Sequence, residues 1–206
     1  MLIQLQKTVR WMQVRMLLCL FLPVHRLPPV CRSGDQAEPH HLHQEDLQGG
    51  CFCFSTSSSA ATLPLNQDTT TKELGVDPQI ASFVLPLGMT INMDGTAIMQ
   101  VVATLFVAGC GGYDVTAFQL VIIMVLALIA SMGTPAAPGA GAVILFTILS
   151  GMGFTGDQAL IAYSLILAIN RPIEMLVTSL NVAGDSVTSI AVAKSEGKLD
   201  ADLYNK

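Results

Sequence analysis

The chain has 206 residues, of which 51% are hydrophobic and 12% are charged, and its net charge is −5. This composition is typical of a membrane protein, and without a basic stripe it excludes nucleic acid as an expected partner. The five cysteines lack the spacing of a disulfide or zinc framework. Residues 81–193 contain few charges, namely Asp94, Asp114, Asp157, Arg171, Glu174 and Asp185.

The first fifty residues differ from the rest of the chain. They hold all four histidines, and residues 1–32 carry half of the ten lysines and arginines. The apolar run at 16–24 is too short to cross a bilayer and contains Pro23. We therefore expect residues 1–50 to be a poorly structured or spurious N-terminal segment. The histidine-rich run at 40–43 is interpreted as part of a solvated tail rather than as a metal site.

The next segments are a serine-rich tip at 51–65, a polar linker through Gln79, and an apolar stretch at 81–110. The only charge in that stretch is Asp94, within TINMDGTAIM at 90–99. A carboxylate at such a depth costs about 3 kcal/mol. We expect the helix to be interrupted at the NMDG motif, because unpaired main-chain groups and a cation in the same cavity would offset that cost.

Two apolar arms, FQLVIIMVLALIA at 118–130 and AVILFTILSGM at 142–152, flank the segment SMGTPAAPGAG at 131–141. The longer arm rises only about 20 Å as a helix, against about 30 Å of hydrocarbon. The glycines and prolines between the arms prevent one continuous helix. The pattern predicts a re-entrant helical hairpin, which is stable at membrane depth only when it is buried in protein or lines a cavity.

The last apolar segment, 159–194, carries a polar stripe. At about 100° per residue its members fall on one face, and such a stripe on a membrane helix faces protein or water rather than lipid. Lysines beyond residue 193 favour a cytoplasmic tail at 197–206. The whole pattern predicts an all-α membrane protein made of re-entrant helical hairpins and discontinuous transmembrane helices. The stripe consists of Arg171, Glu174, Thr178, Asn181 and Asp185.

These features together predict a sodium site. Interrupted helices present carbonyl oxygens that suit a small hard cation, and amides that suit a carboxylate. Asp94 and Asp185 add anionic oxygen, and Asn92, Asn181 and Thr90 offer further oxygens. The alternative is that these polar residues are satisfied structurally between packed helices.

At these motifs the sequence resembles the dicarboxylate/amino acid:cation symporter family. The matching stretches are SSSAATLP (57–64), LPLGMTINMDGTA (85–97), SMGTPAAPGAG (131–141) and NVAGDSVTSIAVAKSE (181–196). The resemblance implies that residues 51–196 form a C-terminal transport core: part of hairpin 1, a broken helix, hairpin 2 as the outer gate, and a final helix. It also implies a truncated, multi-pass protein of the plasma or inner membrane, with no enzymatic activity and no organic cofactor. The full-length family would form homotrimers.

The resemblance further implies which residues bind substrate and sodium. The substrate is expected to contact Ser59, Thr96, Ala137, Gly141, Thr178 and Asn181, with Glu174 holding its ammonium group. One sodium ion would take the carbonyls of Gly88, Asn92 and Asn181 and the carboxylate of Asp185. A second would take Thr90, Met93 and the carbonyls of Ser131, Met132 and Thr134. A third would use Asn92 and Asp94, with partners on an earlier helix that this chain lacks.

Three positions depart from the family pattern. Glutamate carriers have arginine where this chain has Val177, so a bidentate grip on a second carboxylate is missing, which argues against aspartate or glutamate as substrate. Glu174 stands where the family usually has aspartate, and Arg171, one turn earlier, is in reach of it or of an anionic substrate. Pro172 is expected to bend the final helix.

The predicted function is secondary active transport, in which sodium or protons drive uptake of a small amino acid or dicarboxylate. Neutral amino acids, dicarboxylates and cystine-like substrates all remain open. Two alternatives are a non-functional fragment and an intramembrane aspartyl protease that pairs Asp114 or Asp94 with Asp185. Ala183 breaks the Gly-x-Gly-Asp pattern expected of such a protease.

Overall fold

The structure is a computed structural model that describes residues 55–204. The predictions for residues 1–50, including the histidine run, lie outside the described residues. Within the described part all regular elements are helices, joined by short turns. Their bounds are α1 Ser59–Lys72, α2 Pro78–Ile91, α3 Asp94–Cys110, α4 Ala117–Met132, α5 Ala140–Met152, α6 Asp157–Ser195 and α7 Ala201–Tyr204.

Helix α1 corrects one prediction, because the segment read as a polar linker after residue 65 continues as helix to Lys72. Its start is capped by Ser58, whose side chain accepts a hydrogen bond from the Ala61 amide. Several polar side chains of α1 are buried, and Asn66 accepts a hydrogen bond of 2.8 Å from the Ser186 hydroxyl of α6. A partner 120 residues away in sequence explains why local composition predicted a linker here.

The predicted interruption at the NMDG motif is confirmed. Asn92 and Met93 have ψ angles of 63° and 56°, which lie outside the helical region. Helix α2 ends where the Asn92 amide donates to the Gly88 carbonyl, and α3 starts at Asp94. Two helices therefore meet end to end, and the amides of the first turn of α3 point into the break.

Helices α4 and α5 form the predicted hairpin and pack against each other. We call residues 133–139 between them the hairpin tip. The tip ends at Gly139, whose φ of +86° is accessible to glycine at little cost. The two arms rise about 24 Å and 20 Å, so each is shorter than the hydrocarbon thickness of a bilayer. Re-entry on one side of the membrane remains a prediction.

Helix α6 has 39 residues and is continuous through Pro172, with a length of about 58 Å. It packs against α1, α2, α3 and α5. Its first half carries exposed Leu and Ile side chains, whereas Asn181 and most residues beyond it are buried. Residues 78–110 and 157–195 are both long and apolar enough to cross a membrane. One apolar core joins α3, α4, α5 and α6 around Val107, Ile123, Leu145, Leu149 and Ile166.

The chain after α6 is docked against the turn that precedes α2. Val76 and Leu199 form an antiparallel β-bridge, and the Asp200 amide donates to the Gly75 carbonyl at 2.8 Å. We call residues 198–200 the C-terminal strap. Gly75 has φ +70°, and a Cβ there would lie 2.6 Å from the Asp200 carbonyl oxygen. The strap therefore requires glycine at this position.

Candidate substrate and ion site

A small cavity lies where four segments meet. Its walls are the serine-rich tip around Ser57 and Ser59, the hairpin tip, the start of α3, and the middle of α6. The cavity volume is about 30 Å³, which is room for about two water molecules. The two tips close one side of it, because the Ser58 hydroxyl donates to the Ala136 carbonyl at 2.9 Å.

Asn181 connects α6 to the first turn of α3. Its amide oxygen accepts from the Gly95 N–H at 2.9 Å, and its amide nitrogen donates to the Thr96 hydroxyl at 3.1 Å. A Cβ on Gly95 would lie 2.8 Å from the Val177 carbonyl oxygen, so glycine permits the two helices to approach this closely. The side chain of Asn181 is thus fixed at the cavity wall with both of its polar ends satisfied.

Asp185 lies one turn further along α6, beside the end of α2. Its carboxylate accepts a hydrogen bond of 3.0 Å from the Asn92 side-chain amide. A Cβ on Gly88 would lie 2.6 Å from the Asp185 Oδ1 atom, so the carboxylate is in direct contact with the α2 backbone. Asp185 is 2% exposed and faces the point where α2 breaks.

Asp94 starts α3 and is buried with a free oxygen. Its Oδ2 atom has no hydrogen-bond partner among the described residues, although the residue is only 6% exposed. A buried carboxylate oxygen without a partner is costly unless a cation or a donor satisfies it. Carboxylates and main-chain carbonyls are also the ligands that hard cations prefer. The donor set at this break therefore fits an alkali cation as cargo.

Glu174 lies on α6 as well, seven residues before Asn181, and contacts the hairpin tip. Its Oε1 atom accepts a hydrogen bond of 2.5 Å from the Gly139 amide. Its Oε2 atom is 3.7 Å from Arg171 Nη1, and the two side chains are 9% and 52% exposed respectively. The carboxylate is therefore buried at the start of α5, while the guanidinium reaches toward the surface.

The structure brings most of the predicted residues together. The predicted substrate-binding residues Ser59, Thr96, Ala137, Gly141, Glu174, Thr178 and Asn181 all line the cavity. Of the predicted ion ligands, Met93 and Thr134 also line the cavity. Asp185 contacts both Gly88 and Asn92. Asp94 and Ser131 are buried.

Two predicted ion ligands lie apart from this group. The side chain of Thr90 is exposed, and its hydroxyl donates to the Leu87 carbonyl at 2.8 Å. Met132 is 44% exposed. The assignment of both residues as ion ligands stays a prediction. For Met132 the predicted ligand is the main-chain carbonyl and not the side chain.

Sequence reasoning missed several cavity residues. Ser57, Met99, Pro135 and Ala136 also line the cavity. The serine-rich motif contained the signal for Ser57, but composition alone does not say which serine of the run points inward. Ser57 does so because its φ of +51° turns the chain just before α1 begins.

Comparison with known proteins identifies the family. The family model of the sodium:dicarboxylate symporter family matches residues 3–195, which is most of the chain. The chain belongs to the sodium:dicarboxylate symporter family. The match begins within the N-terminal segment that lies outside the described residues, and the domain boundaries proposed from sequence stay predictions.

Several curated relatives of this symporter family are similar to the chain. Human excitatory amino acid transporter 2 is 38% identical over 175 residues, which cover 84% of this chain and 30% of that protein. An excitatory amino acid transporter of Caenorhabditis elegans is 33% identical over 180 residues, which cover 87% of this chain and 35% of that protein. The chain thus spans about a third of the length of the relatives it matches.

Membership in the sodium:dicarboxylate symporter family has two direct consequences. The chain is an integral, multi-pass membrane protein, which agrees with its two long apolar helical stretches. The family and the relatives are transporters and not enzymes, so the alternative of an aspartyl protease is wrong. The geometry argues against one of the two pairings, because Asp114 lies in an exposed turn between α3 and α4, whereas Asp185 is buried.

Proposed function

We propose that this chain is the transport core of a secondary active transporter that couples sodium entry to the uptake of a small neutral amino acid. The observation that carries the proposal is the cavity between the two tips. The buried carboxylate of Glu174 lines it, and the helix break with Asp94, beside which Asp185 lies, is connected to it through Asn181. A site for an ammonium group and a site for cations are thus built into the same set of helices.

Sodium is the coupled ion favoured by the donor set. The family name specifies sodium, and the chain offers two buried carboxylates beside main-chain carbonyls at a helix break. Gly88, Asn92, Asn181 and Asp185 would form one ion site, and Asp94 with Asn92 would contribute to another. Ion binding there would neutralise the Asp94 oxygen that now lacks a partner.

The neutral side chain of the substrate is inferred from the cavity wall. Val177 lines the cavity, and the resemblance implies that glutamate carriers have arginine at this position to bind a second carboxylate. Arg171 is already close to Glu174 and is 52% exposed, so it is poorly placed to bind an acidic side chain inside the cavity. The named relatives are excitatory amino acid transporters, which makes acidic amino acids the competing outcome of the test.

Coupling would follow from movement of the hairpin tip. The hairpin tip lines the cavity and accepts a hydrogen bond from Ser58, so it would have to move for substrate to enter between the two tips. The tip would close again only when ions and substrate both satisfy the polar groups around it. A core that moves across the membrane only when fully loaded would link the two fluxes.

The test is binding of radiolabelled amino acids to the full chain in lipid nanodiscs. We expect L-alanine or L-serine to bind in sodium chloride but not in choline chloride, and L-aspartate and L-glutamate to compete poorly. Asp185→Asn should weaken the sodium dependence at least tenfold, because it removes the buried charge. Asp157→Asn, at the exposed start of the same helix, is the matched control and should bind normally.

Three outcomes would contradict parts of the proposal. Equal binding in sodium and choline at low pH would indicate proton coupling. Preferential binding of aspartate would replace the neutral substrate with an acidic one. Unchanged sodium dependence in Asp185→Asn would remove this carboxylate from the ion site.

The assembly of the chain is a separate proposal. We infer a homotrimer from the resemblance of the sequence to the symporter family. Native mass spectrometry from nanodiscs would test it, and a monomer would contradict it.

A further inference from the structure

The hairpin tip is attached to neighbouring elements by two hydrogen bonds of different kinds. The Ser58 hydroxyl donates to the Ala136 carbonyl, which is a bond between neutral groups. The Gly139 amide donates to the Glu174 carboxylate, which is an ionised acceptor. Hydrogen bonds to ionised groups are about twice as strong as neutral ones. Glu174 therefore provides the stronger of these two attachments.

The position of Gly139 adds to the strength of this bond. Gly139 is the N-cap of α5, so its amide belongs to the positive end of a 13-residue helix. A carboxylate is stabilised at such an end. The Glu174 side chain is only 9% exposed, so water competes weakly for it. The attachment acts at the residue where the hairpin tip becomes helix.

The two carboxylate oxygens of Glu174 have different surroundings. Oε1 is bound to the Gly139 amide. Oε2 is 3.7 Å from the Arg171 guanidinium, which is longer than a hydrogen bond, and that side chain is half exposed. Oε2 is thus the oxygen that remains for the ammonium group of a substrate. One side chain would contact both the gate and the cargo.

We propose that Glu174 is a latch that holds the hairpin tip closed over the cavity before substrate binds, and that its full side-chain length is needed to reach Gly139. Substrate entry then requires the bond between Glu174 and Gly139 to break. The role of the latch as a gate for cargo rests on the proposed function. Its existence in the ligand-free protein does not, and the experiment separates the two.

Opening of the hairpin tip can be measured through the reactivity of a cysteine introduced at a buried position in the cavity. Ser57 lines the cavity, is 3% exposed, and its hydroxyl has no hydrogen-bond partner among the described residues, so Ser57→Cys costs little. The reporter is introduced into the full chain with its five native cysteines replaced by serine. The rate of its modification by a charged maleimide is measured in nanodiscs, without sodium and without amino acid. This rate reports how often the tip opens.

Three substitutions distinguish the effect of side-chain length at position 174 from the effect of its charge. Glu174→Asp keeps the charge but withdraws the carboxylate by one methylene, and we expect it to raise the modification rate about tenfold or more. Glu174→Gln keeps the length and an oxygen acceptor but loses the charge, so its increase should be smaller than that of Glu174→Asp, about threefold. Glu196→Asp makes the same chemical change at the exposed C-cap of α6 and should leave the rate unchanged.

A second reporter separates tip opening from general unfolding. Ser189 is fully buried in α6, and its hydroxyl also lacks a partner among the described residues, so Ser189→Cys is a matched probe away from the tip. The latch requires Glu174→Asp to accelerate modification at position 57 but not at 189. The latch would be overturned if modification were accelerated equally at positions 57 and 189, or not accelerated at position 57. It would also be overturned if Glu174→Asp and Glu174→Gln had equal effects.

The result also distinguishes this inference from the proposed function. If the latch pattern appears while no sodium-dependent amino acid binding is found, the latch stands and the assigned cargo is wrong. If binding is found but the modification rate does not respond to Glu174→Asp, the function stands and the latch is wrong.

Discussion

At the scale of single residues, the site depends on two glycines, which have no side chain, as much as on the polar residues around them. Gly88 and Gly95 allow α2 and α3 to contact the polar stripe of α6 at distances that a Cβ would prevent. Contact at this distance leaves no room for water between the Asp185 carboxylate and the α2 backbone. An ion that binds there therefore meets ligands that are already in position.

Gly88→Ala tests this arrangement. The new Cβ would lie 2.6 Å from Asp185 Oδ1 and 3.0 Å from its Cγ, so the carboxylate has to move. We expect the sodium concentration for half-maximal amino acid binding to rise about tenfold, which corresponds to about 1.4 kcal/mol. A sodium titration measures it. Gly109→Ala is the control, because a Cβ there has nothing within 4 Å, and an equal change in both variants would contradict the interpretation.

At the scale of elements, α1 and α6 share a buried polar contact. Ser186 donates to Asn66 Oδ1, and Thr70 donates to the same oxygen at 3.3 Å. The surrounding side chains are excluded from water, so the bond from Ser186 contributes to the docking of α1, whereas the bond from Thr70 lies within α1 and holds the Asn66 side chain in place. This contact positions the serine-rich tip, because α1 begins directly after it.

Ser186→Ala and Ser189→Ala form a matched pair on α6. Both serines are buried, but only the Ser186 hydroxyl has a partner among the described residues. We expect Ser186→Ala to lower the free energy of unfolding by about 1 kcal/mol, and Ser189→Ala to be neutral or stabilising. Thermal unfolding in detergent measures both. Equal destabilisation by the two substitutions would show that hydroxyl volume, and not the bond to Asn66, is important.

The elements that sequence predicted well are those with strong local signals. Asp94 within an apolar stretch indicated the helix break, and Gly and Pro around 133–141 indicated the hairpin. Helix α1 beyond residue 65 was not predicted, since its polar side chains are satisfied by a helix far away in sequence. Thr90, whose role as an ion ligand stays a prediction, has an exposed side chain that donates to the Leu87 carbonyl, and the motif alone did not indicate this orientation.

At the scale of the whole molecule, the C-terminal strap connects the end of α6 to the turn between α1 and α2. The β-bridge between Val76 and Leu199 joins residues 123 positions apart in the chain, and sequence patterning gave no sign of it. Val76 is 1% exposed beneath it and packs with Leu74, Ala81 and Leu85. The segment predicted as a tail is therefore part of the packed structure up to Tyr204, where the described residues end.

Gly75→Ala should detach the strap. The new Cβ would lie 2.6 Å from the Asp200 carbonyl oxygen, and φ +70° is strained for alanine. We expect trypsin to cleave after Lys198 at least five times faster, as followed by mass spectrometry. Gly197→Ala has a similar φ of +67° but open space around its Cβ. This control separates the clash from backbone strain, and equal cleavage of both variants would exclude the clash as the cause.

The continuity of α6 has a consequence for the geometry of the proposed site. Glu174 and Asp185 are eleven positions apart on one uninterrupted helix, which fixes their axial separation at about 16 Å. Under the proposed function, an ammonium group at Glu174 and an alkali ion at Asp185 would therefore be held at a constant distance while the helix moves as one body.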